Sequence, residues 1–166
     1  LAWLLILMIS SMITGSILAK YEAAFAVIPL LVTFIPMLTD TGGNAGSQSS
    51  TMIIRGMAVG EIEAGDILRV LWKELRVGVI VGVLLGLVNY IQLVIRFPGQ
   101  EMLCLTVVLS LLATVMLAKT IGCVLPIAAQ VLHLDPAIMA APLITTIVDA
   151  VSLIIYFQLA CSLLKI

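Results

Sequence analysis

Charged residues are scarce in this chain. Only 10% of its 166 residues are Asp, Glu, Lys or Arg, and 63% are hydrophobic. The mean hydropathy is +1.29, and a soluble domain of this size could not bury such a composition. The net charge of -1 gives no indication of a nucleic-acid partner. The sequence therefore predicts an all-α integral membrane protein whose main partner is the lipid bilayer.

The motifs of several enzyme classes are also missing. There is no HExxH or GxSxG pattern, and the glycine-rich run at 42–46 lacks the Gly-Lys-Ser/Thr ending of a P-loop. The three cysteines lie in separate apolar segments without CxxC spacing, which is typical of small hydrophobic side chains in helix faces: Cys104, Cys123 and Cys161. A membrane enzyme or assembly module is therefore less favoured than a transport protein.

Five apolar segments are long enough to cross a membrane, since about 20 helical residues span roughly 30 Å of hydrocarbon. They cover residues 1–19, 23–54, 77–95, 102–132 and 136–164. The second and fourth are longer than needed, so we expect tilting, kinks or a protruding end. We expect the second helix to be broken or kinked, because it contains Pro29, Pro36 and a glycine-rich polar stretch.

Basic residues indicate the orientation. Four lie between the second and third segments, namely Arg55, Arg69, Lys73 and Arg76, and three lie on the opposite side, namely Lys20, Arg96 and Lys165. The positive-inside rule then predicts a multi-pass protein of the plasma membrane with a cytoplasmic N-terminus. We expect Lys119, near the cytoplasmic end of the fourth segment, to extend its side chain towards that face.

The loop between the second and third segments has a helical pattern of its own. Its apolar residues recur at helical spacing, namely Ile67, Leu68, Leu71, Trp72 and Leu75, with charged residues between them. This predicts an amphipathic helix lying in the membrane interface before the third segment.

The second segment carries a polar stretch where contact with lipid would be expected. Residues 36–51 supply amides, hydroxyls, one carboxylate and three glycines. Polar groups persist at this depth only against protein or a water-filled cavity. We therefore predict that the stretch lines a permeation path. We expect Gly42, Gly43, Ala45 and Gly46 to form the wall of this path. We expect the oxygen ligands to come from Asn44 and from backbone carbonyls freed by a helix break at the glycines.

Asp149 is the most informative single residue. It lies 13 residues after Pro136, about 20 Å along a helix at 1.5 Å per residue, with no basic residue within a turn or two. A carboxylate at this depth is either protonated or paired with a cation. Thr145 lies one turn earlier on the same face, where we expect its hydroxyl to be a further metal ligand, and Thr146 lies at the edge of that face, where we expect it to line the path. Asp149 could instead only hold the bundle together, but we favour cation binding.

Two motifs together resemble the signature of the MgtE magnesium channels and transporters. The first runs through residues 36–38, 42–48 and 55–62, and the second through 134–137 and 142–149. They occur in the family's order, and the resemblance covers essentially the whole chain. It implies a homodimer of five-helix protomers whose pore follows the dimer axis between the second and fifth helices. It also implies that Asp149 binds Mg²⁺ there and that Gly42, Gly43 and Asn44 border the pore.

The resemblance also bears on domain organisation and mechanism. Family members usually carry cytoplasmic regulatory domains, including a pair of CBS domains, before the first helix, whereas residues 1–166 are expected to form a single transmembrane pore domain without them. One carboxylate per chain cannot neutralise a divalent ion, but a two-fold axis would bring two together. The sequence leaves open whether Mg²⁺ moves down its electrochemical gradient or by exchange with Na⁺ or H⁺, and the resemblance favours the channel.

Overall fold

The computed structural model describes the backbone of residues 2–165, and the side chains within that range except at 2, 3, 6 and 137–141. Every regular element in this part of the chain is helical, which confirms the predicted all-α class. The described residues form six α-helices: α1 (Ala2–Lys20), α2 (Glu22–Val27), α3 (Ile35–Ala58), α4 (Ile67–Arg96), α5 (Glu101–Val131) and α6 (Pro136–Leu164). Short 3₁₀ helices precede α3 at Pro29–Phe34 and α4 at Ala64–Asp66.

Three stretches of the described helices are long and apolar enough to cross a membrane. They are Ala64–Arg96, Glu101–Val131 and Pro142–Leu164. Helix α3 has 24 residues, or about 36 Å at 1.5 Å per residue, but its Gly, Ser, Thr and Asn residues lower its hydropathy. The five crossings expected from the sequence therefore stay a prediction.

Helix α5 lies at the centre of the bundle, where it packs against α3, α4 and α6, while α1 packs against α6. Hydroxyl groups on this central helix are buried together with its apolar side chains. The hydroxyl of Thr106 donates to the Met102 carbonyl at 2.8 Å, and that of Ser110 donates to the Thr106 carbonyl at 2.7 Å. These bonds to the preceding turn satisfy polar groups that have no water to bind.

The second segment is divided at the first of its two prolines, and not at its glycines. Ile28 has φ -131° and ψ 84°, because a residue before a proline disfavours helical geometry, and the 3₁₀ helix begins at Pro29. The Tyr156 hydroxyl on α6 donates to the Leu31 carbonyl at 2.9 Å, which satisfies an acceptor in this irregular stretch. Helix α3 then continues without interruption through Gly42 and Gly43, so the expected break at the glycines, with its freed carbonyls, is wrong.

The separate interfacial helix predicted before the third segment is also wrong. Its residues form the first turns of α4, which runs for 30 residues from Ile67 to Arg96. No proline or glycine lies between Ile67 and Val77 to end the helix. Trp72 is exposed on these turns, and the Arg76 guanidinium lies 5.7 Å from the centre of its ring.

The glycines of α4 face the central helix α5. A Cβ at Gly82 would lie 2.6 Å from a methyl carbon of Leu112, and one at Gly86 would lie 3.1 Å from a methyl carbon of Val108. Both contacts are shorter than ordinary van der Waals distances. These glycines therefore allow α4 and α5 to pack closely.

Candidate ion-binding cleft

An open cleft of about 340 Å³ lies between α3 and α6. Most of its lining side chains are polar, although the two helices also carry many apolar residues. The lining residues are Pro36, Thr39, Asp40, Gly43 and Asn44 from α3, and Thr145 and Asp149 from α6. Oxygen atoms of carboxylate, amide and hydroxyl groups thus converge in one place, and such oxygens are the ligands of hard cations.

Helical spacing and close packing bring these residues together. Asp40 and Asn44 are four residues apart on α3, and Thr145 and Asp149 are four apart on α6, so each pair shares a helix face. A Cβ at Gly43 would lie 3.2 Å from Thr145 Cγ2. The glycine therefore allows α6 to approach α3 closely enough for the two polar faces to border the same cleft.

The predicted metal ligands Asp149, Thr145 and Asn44 all line this cleft. The Thr145 hydroxyl donates to the Pro142 carbonyl at 2.9 Å, which leaves its oxygen lone pairs available as acceptors. Among side chains that the structure describes, no group of three or more His, Cys, Asp or Glu residues could hold a metal ion. The cleft therefore offers one or two carboxylates and neutral oxygens rather than a full protein cage.

Of the residues predicted to form the wall of the path, only some line the cleft. Gly43 lines the cleft, whereas Gly42, Ala45 and Gly46 do not. These residues are all buried, Gly43 included. Gly42 packs against Val148 of α6 and Thr114 of α5, and Gly46 packs against Ile144 and Ala118. Thr146 is half-buried and is not among the residues that line the cleft. A role for these four in an ion path stays a prediction.

A second cleft, of about 510 Å³, continues the polar surface along α3. Asn44 lines both clefts, and Ser47, Gln48, Thr51 and Met52 complete the second. Our sequence reasoning did not single out Asp40, Gln48 or Thr51. Their spacing of three or four residues from one another or from Asn44 was the signal that could have identified them.

A buried ion pair lies elsewhere in the bundle. Lys119 Nζ on α5 is 3.3 Å from Glu74 Oε2 on α4, with side chains only 9% and 12% exposed. The Ser49 hydroxyl of α3 donates to the same carboxylate oxygen. The prediction that Lys119 extends to the membrane face is therefore wrong, because a buried carboxylate on the neighbouring helix binds its ammonium group. Glu74 was concealed among the other charges of its amphipathic stretch.

Apolar helices around an acidic, oxygen-lined cleft define a membrane protein suited to cation transport. The profile of the MgtE family, described as a divalent cation transporter, matches residues 35–159. The chain belongs to this family, which confirms the resemblance found in its two motifs.

Three curated relatives carry the name "Magnesium transporter MgtE". Identity is 36% over 163 residues to the protein of Thermus thermophilus, 35% over 160 residues to that of Bacillus subtilis, and 30% over 166 residues to that of Enterococcus faecalis. The matches cover 98%, 96% and 99% of this chain, respectively. The chain spans only about a third of the length of these relatives, at 36%, 35% and 36%.

Proposed function

We propose that this chain is the transmembrane pore domain of a magnesium-selective channel in the plasma membrane. Mg²⁺ moves down its electrochemical gradient through a pore at a homodimer axis, lined by α3 and α6. The observation that carries the proposal is the cleft in which Asp149, Asn44 and Thr145 meet. Membership of a divalent cation transporter family and the printed names of the relatives support it.

The donor set of the cleft suits a hydrated magnesium ion. Mg²⁺ dehydrates reluctantly, keeps several waters and is bound through one or two carboxylates. Asp149 supplies charge, while Asn44 and Thr145 supply neutral oxygens that accept hydrogen bonds from the waters of the ion. Such binding is weak enough for release, which conduction requires.

The exposed face of α3 supports the homodimer. Asp40, Asn44, Gln48 and Thr51 are exposed on the single chain, where lipid could not satisfy their polar groups. A second copy related by a two-fold axis would cover the same surface on both protomers and enclose a water-filled path. The two clefts of each protomer would then border that path.

The proposed topology sets the direction of flow. With five crossings and the basic loop in the cytoplasm, the N-terminus is cytoplasmic and α3 runs inward from its N-terminal end. An inside-negative potential of 100 mV favours inward movement of a divalent ion by about 4.6 kcal/mol, at roughly 2.3 kcal/mol per charge.

Magnesium flux into proteoliposomes tests the proposal. The full-length protein should carry Mg²⁺ towards a negative interior without any Na⁺ or H⁺ gradient, and Asp149→Asn should carry much less. Glu101→Gln, which removes an exposed carboxylate at the start of α5 outside the cleft, serves as the control and should behave like wild type. Flux that requires a Na⁺ or H⁺ gradient would support the exchanger instead. Wild-type flux no greater than that of empty vesicles would contradict both.

A further inference from the structure

A second carboxylate lies in the cleft, and the function proposed above does not use it. Asp40 is an exposed residue of α3 one turn before Asn44, and it lines the same cleft as Asp149 of α6. The two acidic residues are far apart in sequence and come from different helices, so packing of α3 against α6 alone brings them together. Two negative charges that line the same cleft repel each other.

Neither carboxylate forms an ion pair with a basic side chain in the part of the chain that the structure describes. Among the residues that the structure describes, the ion pair within 4.0 Å joins Lys119 to Glu74 and includes neither Asp40 nor Asp149. Two carboxylates in a cleft between apolar helices are costly unless a cation reduces their repulsion. The arrangement therefore favours an ion with two positive charges over one with a single charge.

The position of Asp40 gives it a role different from that of Asp149. Four residues of helix place Asp40 about 6 Å nearer than Asn44 to the N-terminal end of α3, which is the outer end in the proposed topology. A negative charge at the mouth of a path raises the local concentration of cations and speeds their capture. Its effect weakens as added salt screens it.

We propose that Asp40 is a second ion-binding carboxylate, which captures the hydrated divalent cation at the outer end of the cleft and raises selectivity over monovalent ions. This inference rests on the proposed function. It changes the count of charges, because each protomer then contributes two carboxylates to the ion path. The capture role predicts an effect chiefly on the Mg²⁺ concentration needed for half-maximal flux, since Asp149 and Asn44 are unchanged.

The test compares four forms of the full-length protein in proteoliposomes: wild type, Asp40→Asn, Asp40→Glu and Glu101→Gln. We expect Asp40→Asn to raise the Mg²⁺ concentration for half-maximal flux on the order of tenfold, with a smaller change in maximal flux. Its half-maximal concentration should depend less on ionic strength, and its preference for Mg²⁺ over Na⁺ should fall. Asp40→Glu keeps the charge and should stay near wild type, as should Glu101→Gln.

Binding is measured separately, as stabilisation against heat by added MgCl₂ in detergent. Asp40→Asn should need more Mg²⁺ than wild type for the same rise in melting temperature, and Asp40→Glu should not. If wild type shows no flux, the proposed function fails, and the binding comparison still decides the role of Asp40. The inference is overturned if Asp40→Asn matches wild type in half-maximal concentration, ion preference and Mg²⁺ stabilisation. It is also overturned if Asp40→Glu loses as much as Asp40→Asn.

Discussion

Asp149 is a carboxylate residue of a membrane helix that lines an open cleft. It has no basic partner among the described residues. If its charge holds the ion, Asp149→Asn should lose Mg²⁺ transport while keeping shape and fold. Asparagine still makes hydrogen bonds, so a purely structural role would largely survive. Asp149→Glu moves the charge by about one methylene and should conduct poorly, because binding depends on well-placed ligands. Wild-type flux in Asp149→Asn would exclude Asp149 as an ion ligand.

The same substitution has a consequence for stability. Without metal, Asp149→Asn should be at least as stable as wild type, because the cost of a charge in the membrane disappears. Wild type should gain stability from Mg²⁺ by mass action, about 2.7 kcal/mol at a concentration 100 times the dissociation constant. Thermal melts with and without MgCl₂ measure both effects. An equal gain in the variant would show that the ion binds elsewhere.

Some residues of the cleft could be predicted from the sequence, and others could not. Asp149 and Thr145 could be predicted because they are polar residues inside an apolar run, and Asn44 because it belongs to a polar stretch within a membrane segment; the structure brings all three together. Asp40 was not singled out, although its spacing of four residues from Asn44 places the two on the same face of the helix. Glu74 could not be identified either, because its burial depends on Lys119, which is 45 residues away.

Contact between helices depends on small residues at the crossing of α3 and α5. Gly122 of α5 lies directly against the backbone of α3, where an added Cβ would overlap the Gly46 carbonyl and lie 3.0 Å from Ser49 Cβ. Backbone atoms cannot move aside as a flexible side chain can. Gly122→Ala should therefore push α3 away and destabilise the protein by about 1–3 kcal/mol, the usual cost of overpacking.

The matched control for this change is Gly15→Ala in α1, where a Cβ would meet nothing within 4 Å. That variant should melt like wild type or slightly higher, because alanine favours helix over glycine. Melting temperatures in detergent and Mg²⁺ flux measure the pair. Equal melting of the two variants would show that the crossing tolerates a methyl group.

The buried ion pair between α4 and α5 allows a second test at the level of helices. Lys119→Met leaves the Glu74 carboxylate buried without its cation, which should cost about 3–5 kcal/mol, whereas Lys119→Met with Glu74→Gln should recover much of that loss. Chemical or thermal unfolding of the two variants measures the difference. A double variant no more stable than the single one would show that the charge of Glu74 is not what makes the loss severe.

Helix boundaries show what sequence reasoning can and cannot supply at this scale. The residues that begin α6 at Pro136 and interrupt the second segment at Pro29 act locally, so the sequence could indicate them. The continuity of α3 through its glycines was not predictable in the same way. From the sequence, the glycines of α3 indicated a break in the helix. In the structure, Gly42 packs against Thr114 and Val148, and Gly46 packs against Ile144.

Viewed as a whole, the bundle has two kinds of exposed surface. The outer face of α4 is apolar between Ile80 and Ile91, where Ile80, Leu84, Val88 and Ile91 are all more than half exposed, which suits contact with lipid. The exposed stripe of α3 is polar at Asp40, Asn44, Gln48 and Thr51. With Asp40 in the cleft, one protomer already carries two carboxylates, so the case for a homodimer rests on this surface and not on counting charges.

Cross-linking of the full-length protein in nanodiscs tests that case. In a background with Cys104, Cys123 and Cys161 replaced by alanine, Gln48→Cys on the polar stripe should form a disulfide-linked dimer on mild oxidation, because an isologous interface brings each residue near its copy at the two-fold axis. Met52→Cys, one turn further along the same exposed face, should do the same if the axis follows α3.

The control for this experiment is Ile91→Cys on the apolar face of α4, which is 54% exposed. Lipid should cover that face, so the control should stay monomeric on a denaturing gel although its thiol is accessible. Native mass measurement of the uncross-linked protein gives the oligomeric state independently of any cysteine. If the protein is a monomer that conducts Mg²⁺, or if Ile91→Cys cross-links as readily as Gln48→Cys, the pore cannot lie at a homodimer axis along α3. The path would then have to run through the cleft of a single protomer, and Asp40 and Asp149 would be its two charges.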